Sequence, residues 1–265
     1  MRIQGISGSR GVAVGNVYKY IQEEIVIPDY EVTDDQVEAE IGKFASAMAE
    51  TLKQLDTIRQ KALVDMGADE AAIFEAHMQI AQDPSLSDGI KSLVENSKMN
   101  VVAATAQTIE TFAAIFIGMD DPYMRERGAD IKDIGDRLMR NMLGMNPRGL
   151  SHISGEVIIV AHDLAPSDTA SLDKNVVKGI VTAAGGPTSH AAIMARTLEI
   201  PAVMGVGDIE SFTDDVRAVV LGTDGIVETN SSDADWTEYT NQAAAYQEEL
   251  KRLRESANLE AKTTD

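Results

Sequence analysis

The histidine at position 190 has the neighbours best suited to chemistry. It follows two glycines and two hydroxyl residues in the stretch AAGGPTSHAAIMARTLEIPAV, residues 183–203. Apolar residues recur at helical spacing after it, and Pro201 lies beyond the last expected turn. The pattern therefore predicts a helix that begins close to His190, with a glycine turn immediately before it.

A helix start of this kind favours phosphorus chemistry at the imidazole. Gly185 and Gly186 allow a tight turn and leave room for a bulky group. The free N–H groups and positive dipole end of a helix attract an anion and disfavour a charged imidazolium. A neutral imidazole beside such a site suits nucleophilic attack on phosphorus. Metal binding by His190 is disfavoured, because no second His, Asp or Glu lies at ligand spacing on its helix.

The other candidate positions carry weaker patterns. His77 lies within a predicted bundle helix, where a structural role is expected, and His152 opens a predicted turn. His162 follows a predicted strand, in a strand-to-helix loop. Thr169 in the same stretch is the candidate for a supporting hydroxyl, because active sites of α/β sheets lie at strand ends.

Composition excludes several classes of protein. The chain has 265 residues, 44% of them hydrophobic, and a formal net charge of −20. Nucleic acid and anionic membranes would be repelled by this charge. No cysteine is present, which excludes disulfides, thiol nucleophiles and thiolate metal sites. No signal peptide and no apolar run long enough to span a membrane is found, so we expect a cytoplasmic protein.

The elements that must position His190 form two kinds of structure. The sequence predicts α/β plus all-α architecture: a discontinuous α/β domain with an inserted helical bundle and a C-terminal linker helix. Glycine-interrupted apolar pieces predict strands near the N-terminus, with EEIVIPDY as a further strand candidate. The predicted domains are 1–32 with 148–232 for the α/β part, 33–147 for the bundle, and 233–265 for the linker helix and polar tail.

The bundle carries an uneven charge. Residues 34–88 contain twelve acidic and four basic side chains, a net −8, whereas residues 91–147 contain eight and seven, a net −1. A solvated face is the common reason for such a pattern. The same face could equally steer a basic protein onto the first helices.

Five stretches together resemble one family. GGPTSHAAIMARTLEIPAV resembles the phosphohistidine domain shared by Enzyme I of the sugar phosphotransferase system, phosphoenolpyruvate synthase and pyruvate phosphate dikinase. GISGSRGVAVG, AIFEAHMQIAQDP, ERGADIKDIGDRLMRNMLG and DLAPSDTA then resemble Enzyme I in that order. The chain is thus identified as similar to the N-terminal half of Enzyme I, and we expect the family's C-terminal phosphoenolpyruvate and magnesium domain to be missing from it.

The resemblance implies roles for particular residues. His190 would be the phosphohistidine and Thr169 would hydrogen-bond its ring, with Gly185, Gly186, Ser189 and Arg196 around the phosphate. The family's usual Arg after the glycine pair is replaced by Pro187. The bundle would dock the small carrier protein HPr, and the matching positions are Phe74, Glu75, His77, Met78, Asp83, Leu86, Phe116, Met124 and Arg127. No cofactor is expected in this chain.

Two alternatives to an Enzyme I half remain open at this stage. One is the swivelling domain of a dikinase-like enzyme, which a nucleotide-dependent partner domain would label. The other is a non-enzymatic adaptor in which phosphorylation of His190 only changes the affinity for partners.

Overall fold

The computed structural model describes residues 1–145, 150, 153 and 155–257 and contains helical and sheet elements in separate groups. The strands are β1 Arg2–Gln4, β2 Ile6–Ser9, β3 Val12–Tyr20, β4 Val157–Ala161, β5 Val177–Thr182, β6 Ala202–Met204, β7 Arg217–Leu221 and β8 Ile226–Thr229. The helices are α1 Val37–Asp65, α2 Ala68–Ala81, α3 Pro84–Ser97, α4 Val101–Ile117, α5 Pro122–Leu143, α6 Pro166–Ala170, α7 His190–Thr197 and α8 Asp233–Ala257. The predicted combination of an α/β part and an all-α part is confirmed.

The strands form one sheet of mixed direction. Its order is β1-β8-β7-β3-β4-β5-β6-β2, and the neighbours from β3 to β6 run parallel. Every residue of β4 is buried, which explains its uninterrupted apolar run. Gly5 alone separates β1 from β2, although these strands lie at opposite ends of the order, so the sheet curls until its ends meet.

The helices α1 to α5 share an apolar interior built from one face of each helix. Phe44, Leu86, Ile90, Ile109 and Leu138 are among its buried members. Local capping fixes where individual helices begin. Asp83 caps α3 by accepting a hydrogen bond from the N–H of Ser85 at 2.8 Å, followed by a proline.

The chain divides into two compact units, and it crosses from one to the other more often than the predicted boundaries imply. The sheet unit comprises residues 1–21, 151–164 and 172–265, and the helical unit comprises residues 22–150 and 165–171. Residues 22–32 and 165–171 therefore group with the helices, whereas the prediction placed both segments with the sheet. The boundary predicted at 147/148, the turn at His152 and the tail from residue 258 onward lie outside the described residues.

The strand predicted over EEIVIPDY is wrong. Residues 23–30 form no strand, and Val26 and Ile27 are exposed there. Pro28 lacks an N–H group, and the segment instead gives carbonyls to side chains: Asn100 donates to the Pro28 oxygen at 2.8 Å, and Arg140 donates to the Glu23 oxygen. These two carbonyl oxygens are therefore bonded by side-chain donors and not by the backbone of a neighbouring strand.

Candidate functional site

The turn before His190 begins where β5 ends, at the carboxyl edge of the parallel strands. The N–H of Ala183 donates to the Ala161 oxygen and the N–H of Ala184 donates to the His162 oxygen, both at 2.9 Å. Gly185 then adopts φ +86°, a conformation that other residues rarely take, while a Cβ at Gly186 would meet open space. One glycine makes the turn and the other leaves the approach to the turn clear.

Ser189 is the N-cap of α7 and His190 is its first residue, so His190 lies in the first helical turn, where the sequence predicts it. The Ser189 hydroxyl accepts a hydrogen bond from the N–H of Ala192 at 3.3 Å and donates to the Gly186 oxygen at 2.9 Å. The N–H groups of His190 and Ala191 make no hydrogen bond to another described residue. Two backbone donors and the positive end of α7 are thus available to an anion.

The imidazole of His190 is partly exposed and unengaged. Among the described residues none makes a hydrogen bond or an ion pair with this ring. A structural histidine is normally held by at least one partner, because its ring nitrogens are strong hydrogen-bonding groups. The ring can therefore use a nitrogen lone pair as a nucleophile without first breaking an interaction.

Arg196, near the C-terminal end of α7, makes hydrogen bonds that hold the turn before His190. Its Nη1 donates to the oxygens of Gly8 and Pro187, each at 2.8 Å. The guanidinium thus ties the loop before His190 to β2, a role that the sequence pattern did not predict. Its predicted place in the phosphate surroundings stays a prediction.

Thr169 is buried and lies on α6, within the helical unit. Its hydroxyl donates to the Pro166 oxygen at 2.9 Å, with the Ala165 oxygen at 3.3 Å. Asp168 fixes the start of this helix by accepting from the N–H of Ala165 at 3.1 Å. The predicted hydrogen bond between Thr169 and the His190 ring stays a prediction.

The predicted docking residues divide by exposure, and three of them require a correction. Phe74, His77 and Leu86 are 0%, 0% and 2% exposed, so their side chains belong to the interior of the helical unit and not to its surface. Their apolar or paired side chains are used in packing α2 and α3. Exposed or partly exposed positions remain at Glu75, Met78, Asp83, Phe116, Met124 and Arg127.

Sequence reasoning missed the polar partners of His77. Asp130 and Asp133 on α5 face its two ring nitrogens, and Ser167 donates to Asp133 at 3.1 Å. The available clue was the three-residue spacing of Asp130, Asp133 and Asp136, which places three acids along one side of a helix. In the described part of the chain, no group of three or more His, Asp or Glu side chains is arranged to hold a metal ion.

Two families of known proteins match most of the chain. The family described as PEP-utilising enzyme, N-terminal, matches residues 4–127, and the family described as PEP-utilising enzyme, mobile domain, matches residues 153–225. A solved structure described as the NMR solution structure of Enzyme I is 36% identical with a TM-score of 0.79, covering 92% of this chain and 99% of that one. The chain belongs to the Enzyme I family of PEP-utilising enzymes.

Curated members of the Enzyme I family agree with this assignment. The phosphoenolpyruvate-protein phosphotransferase of Priestia megaterium is 40% identical over 248 residues, which cover 93% of this chain and 43% of that protein. The protein of the same name from Enterococcus faecalis strain V583 is 39% identical over 268 residues, covering 99% and 46%. The chain thus spans less than half the length of these relatives. Within the described residues, no helix is both long and apolar enough to cross a membrane.

Proposed function

We propose that this chain accepts a phosphoryl group on His190 and exchanges it with the histidine of HPr. In the whole protein, phosphoenolpyruvate would supply that group through a C-terminal domain that also holds Mg²⁺. The observation that carries the proposal is the position of an unengaged His190 ring at the first residue of α7. The names of the relatives and the match to Enzyme I support the same activity.

The transfer itself would be a displacement at phosphorus between two imidazoles. A lone pair on a ring nitrogen of His190 attacks phosphorus, the new N–P bond forms, and the N–P bond of the donor phosphohistidine breaks. Each ring keeps its own N–H, so no proton is gained or lost overall. The free N–H groups at the start of α7 would stabilise the charged phosphoryl oxygens during this step.

Thr169 would determine which ring nitrogen of His190 carries the proton. Because its hydroxyl proton is already donated to the Pro166 oxygen, the hydroxyl oxygen has only lone pairs to offer. A hydrogen bond to His190 would therefore come from a ring N–H. That bond would place the free lone pair on the other nitrogen, which would be the nucleophile.

The docking surface for HPr would lie on the exposed positions of the helical unit. Glu75 and Asp83 are exposed acids within the strongly acidic range 34–88. Phe116 and Met124 add partly exposed apolar surface near the end of α4 and the start of α5. Exposed acids together with partly exposed apolar side chains suit a small basic protein partner. We place this exchange in the cytoplasm, where sugar phosphotransferase carriers would meet it.

The deciding experiment mixes the purified chain with phosphorylated HPr. We expect an acid-labile, alkali-stable phosphate on His190, and return of that phosphate when unphosphorylated HPr is added in excess. Absence of labelling by HPr, with labelling by a nucleotide-dependent domain, would favour the dikinase-like alternative. Labelling that cannot be returned to HPr would favour the adaptor.

A further inference from the structure

The short helix that carries Thr169 depends on other parts of the helical unit for its position. Helix α6 has five residues, Pro166–Ala170, which are too few for a helix to be stable by itself in water. Ser167, Asp168 and Thr169 are nevertheless 1%, 0% and 0% exposed. Contacts with the rest of the unit must therefore determine where this helix lies and which way its side chains point.

One buried hydrogen bond joins α6 to the long helix α5. The Ser167 hydroxyl donates to the Oδ1 atom of Asp133 at 3.1 Å, and Asp133 is only 5% exposed. A hydrogen bond to a carboxylate is stronger than one between neutral groups, and burial protects it from competition with water. Gln22 also donates to Asp168, at 3.3 Å, but from an exposed position where water competes. The contact with Asp133 is therefore the stronger of these two.

The Thr169 hydroxyl is fixed relative to the backbone of α6. It donates to the oxygen of Pro166, the first residue of the same helix, at 2.9 Å. With 3.6 residues per turn, side chains two positions apart point about 200° apart around the helix axis. A helix that turns Ser167 toward α5 therefore turns Thr169 to the opposite side. The bond between Ser167 and Asp133 thus sets the direction in which the Thr169 hydroxyl is presented.

We propose that Asp133 is a positioning residue for phosphoryl transfer at His190. By holding Ser167, it fixes the orientation of α6 and hence the place of the Thr169 hydroxyl oxygen. This role rests on the proposed function, in which a ring N–H of His190 donates to that oxygen. Without the bond to Asp133, Thr169 stays in the chain but is misplaced. The ring proton is then shared between the two nitrogens, and the nucleophilic lone pair is available for less of the time.

The test compares the parent chain with Ser167→Ala, which removes the bond to Asp133 and keeps Thr169. Single-turnover transfer from phosphorylated HPr, measured over a range of HPr concentrations, separates the maximal rate from the half-saturating concentration. We expect the maximal rate to fall about three- to thirtyfold. The half-saturating concentration should change less than about twofold, because Ser167 and Asp133 are buried and cannot contact HPr. An unchanged maximal rate in a folded Ser167→Ala chain would overturn the proposal.

A double-mutant cycle shows whether Ser167 acts through Thr169. Thr169→Val removes the hydroxyl and keeps the shape of the side chain. Adding Ser167→Ala to Thr169→Val should slow transfer by less than a further factor of about two, because the hydroxyl that α6 positions is already gone. If Ser167→Ala has its full effect in that background, Ser167 acts by another route and the proposal is wrong.

Asp133→Asn provides a second variant that does not depend on the folding of Ser167→Ala. It keeps an acceptor oxygen for Ser167 but removes the charge that strengthens the hydrogen bond. We expect the maximal rate to fall in the same direction by a smaller factor. A folded Asp133→Asn chain with the rate of the parent would contradict the role of Asp133.

The tautomer of His190 gives a measurement that a general loss of stability does not change. The NMR chemical shifts of its ring nitrogens, recorded at about pH 8.5 where histidine is uncharged, report which nitrogen carries the proton. We expect one protonated nitrogen in the parent chain and shifts closer to the average of both tautomers in Ser167→Ala. Thr105→Ala, which removes a buried hydroxyl from α4, is the matched control and should leave these shifts unchanged and the transfer rate within about twofold. Equal effects of Thr105→Ala and Ser167→Ala would overturn the proposal.

These measurements separate the role of Asp133 from the proposed function. A parent chain that accepts no phosphate from HPr contradicts the proposed function, and the ring shifts of His190 in Ser167→Ala still decide the role of Asp133. A parent chain that accepts phosphate, with the same rate and the same ring shifts in Ser167→Ala, contradicts only the role of Asp133.

Discussion

The Nε2 atom of His77 lies 3.1 Å from the Oδ1 atom of Asp130, with the two side chains 0% and 6% exposed. The other ring nitrogen lies 3.8 Å from Asp133, which also accepts a hydrogen bond from Ser167. One buried ring therefore connects α2 to α5, and through Asp133 to the helix that carries Thr169. This arrangement gives His77 a structural role in the interior of the helical unit.

Removal of this ring should destabilise the helical unit. We expect His77→Leu to lower the free energy of unfolding by about 3 kcal/mol, because two carboxylates stay buried without the imidazole between them. Adding Asp130→Asn should recover part of the loss. Urea unfolding followed by circular dichroism measures both. Glu75→Gln, on the exposed face of the same helix, is the control and should change the free energy by less than about 0.5 kcal/mol. Unchanged stability together with weakened HPr binding would instead show that His77 contributes to the docking surface.

His190→Gln should abolish phosphate acceptance from HPr while the fold is kept. The side chain contributes no hydrogen bond to described residues, so its loss removes a nucleophile and little stability. Radiolabelled phosphorylated HPr followed by gel separation under alkaline conditions measures the transfer. His162→Gln, which changes an exposed histidine in the loop after β4, should be labelled like the parent chain. Label that persists in the His190→Gln chain would show that another residue is the acceptor.

The two glycines before His190 should respond differently to alanine. Gly185→Ala should cost about 1–2 kcal/mol of stability, because φ at this position is +86°. Gly186→Ala places a Cβ in open space and should cost less than about 0.5 kcal/mol. Thermal or urea unfolding compares them directly. Equal effects would mean that the turn does not need the left-handed conformation at Gly185.

Association with HPr should depend on salt. The net −8 of residues 34–88 would attract a basic partner over a distance that shrinks about threefold between 50 and 500 mM salt. We expect the association rate in stopped-flow measurements to fall more than the dissociation rate rises. Glu75→Gln should lower the association rate at low salt, whereas Glu95→Gln, an exposed acid outside that range, should have a smaller effect. A rate that does not respond to salt would assign the contact to apolar surface.

Phosphoenolpyruvate and magnesium alone should leave His190 unlabelled. The described residues contain no group of His, Asp or Glu side chains arranged for a metal ion, and the proposed function assigns that chemistry to another domain. Incubation of the purified chain with labelled phosphoenolpyruvate and Mg²⁺ measures this, with phosphorylated HPr as the positive control. Phosphohistidine formed without HPr or an added domain would locate a substrate site within these 265 residues.

The amino-acid sequence determined the features of this protein that depend on local pattern. Helical spacing, glycine turns and caps were sufficient to predict the two kinds of structure, the helix that starts at His190 and the Gly185 turn before it. The same stretch resembles three families of phosphoenolpyruvate-utilising enzymes, and four further stretches along the chain pointed to Enzyme I among them. These features could be predicted because each depends on residues within a few positions of one another in the chain.

Tertiary structure decided which side chains are exposed and which distant residues meet. The apolar segment around Val26 is an exposed loop, because it pairs with no strand in the described part of the chain. His77 is an interior residue, because its partner Asp130 lies on a helix more than fifty positions later in the chain. Arg196 near the end of α7 donates a hydrogen bond to the Gly8 oxygen in β2, a residue 188 positions earlier in the chain. Local spacing carries no information about such contacts, since their free energy depends on burial and on partners that only the folded chain brings together.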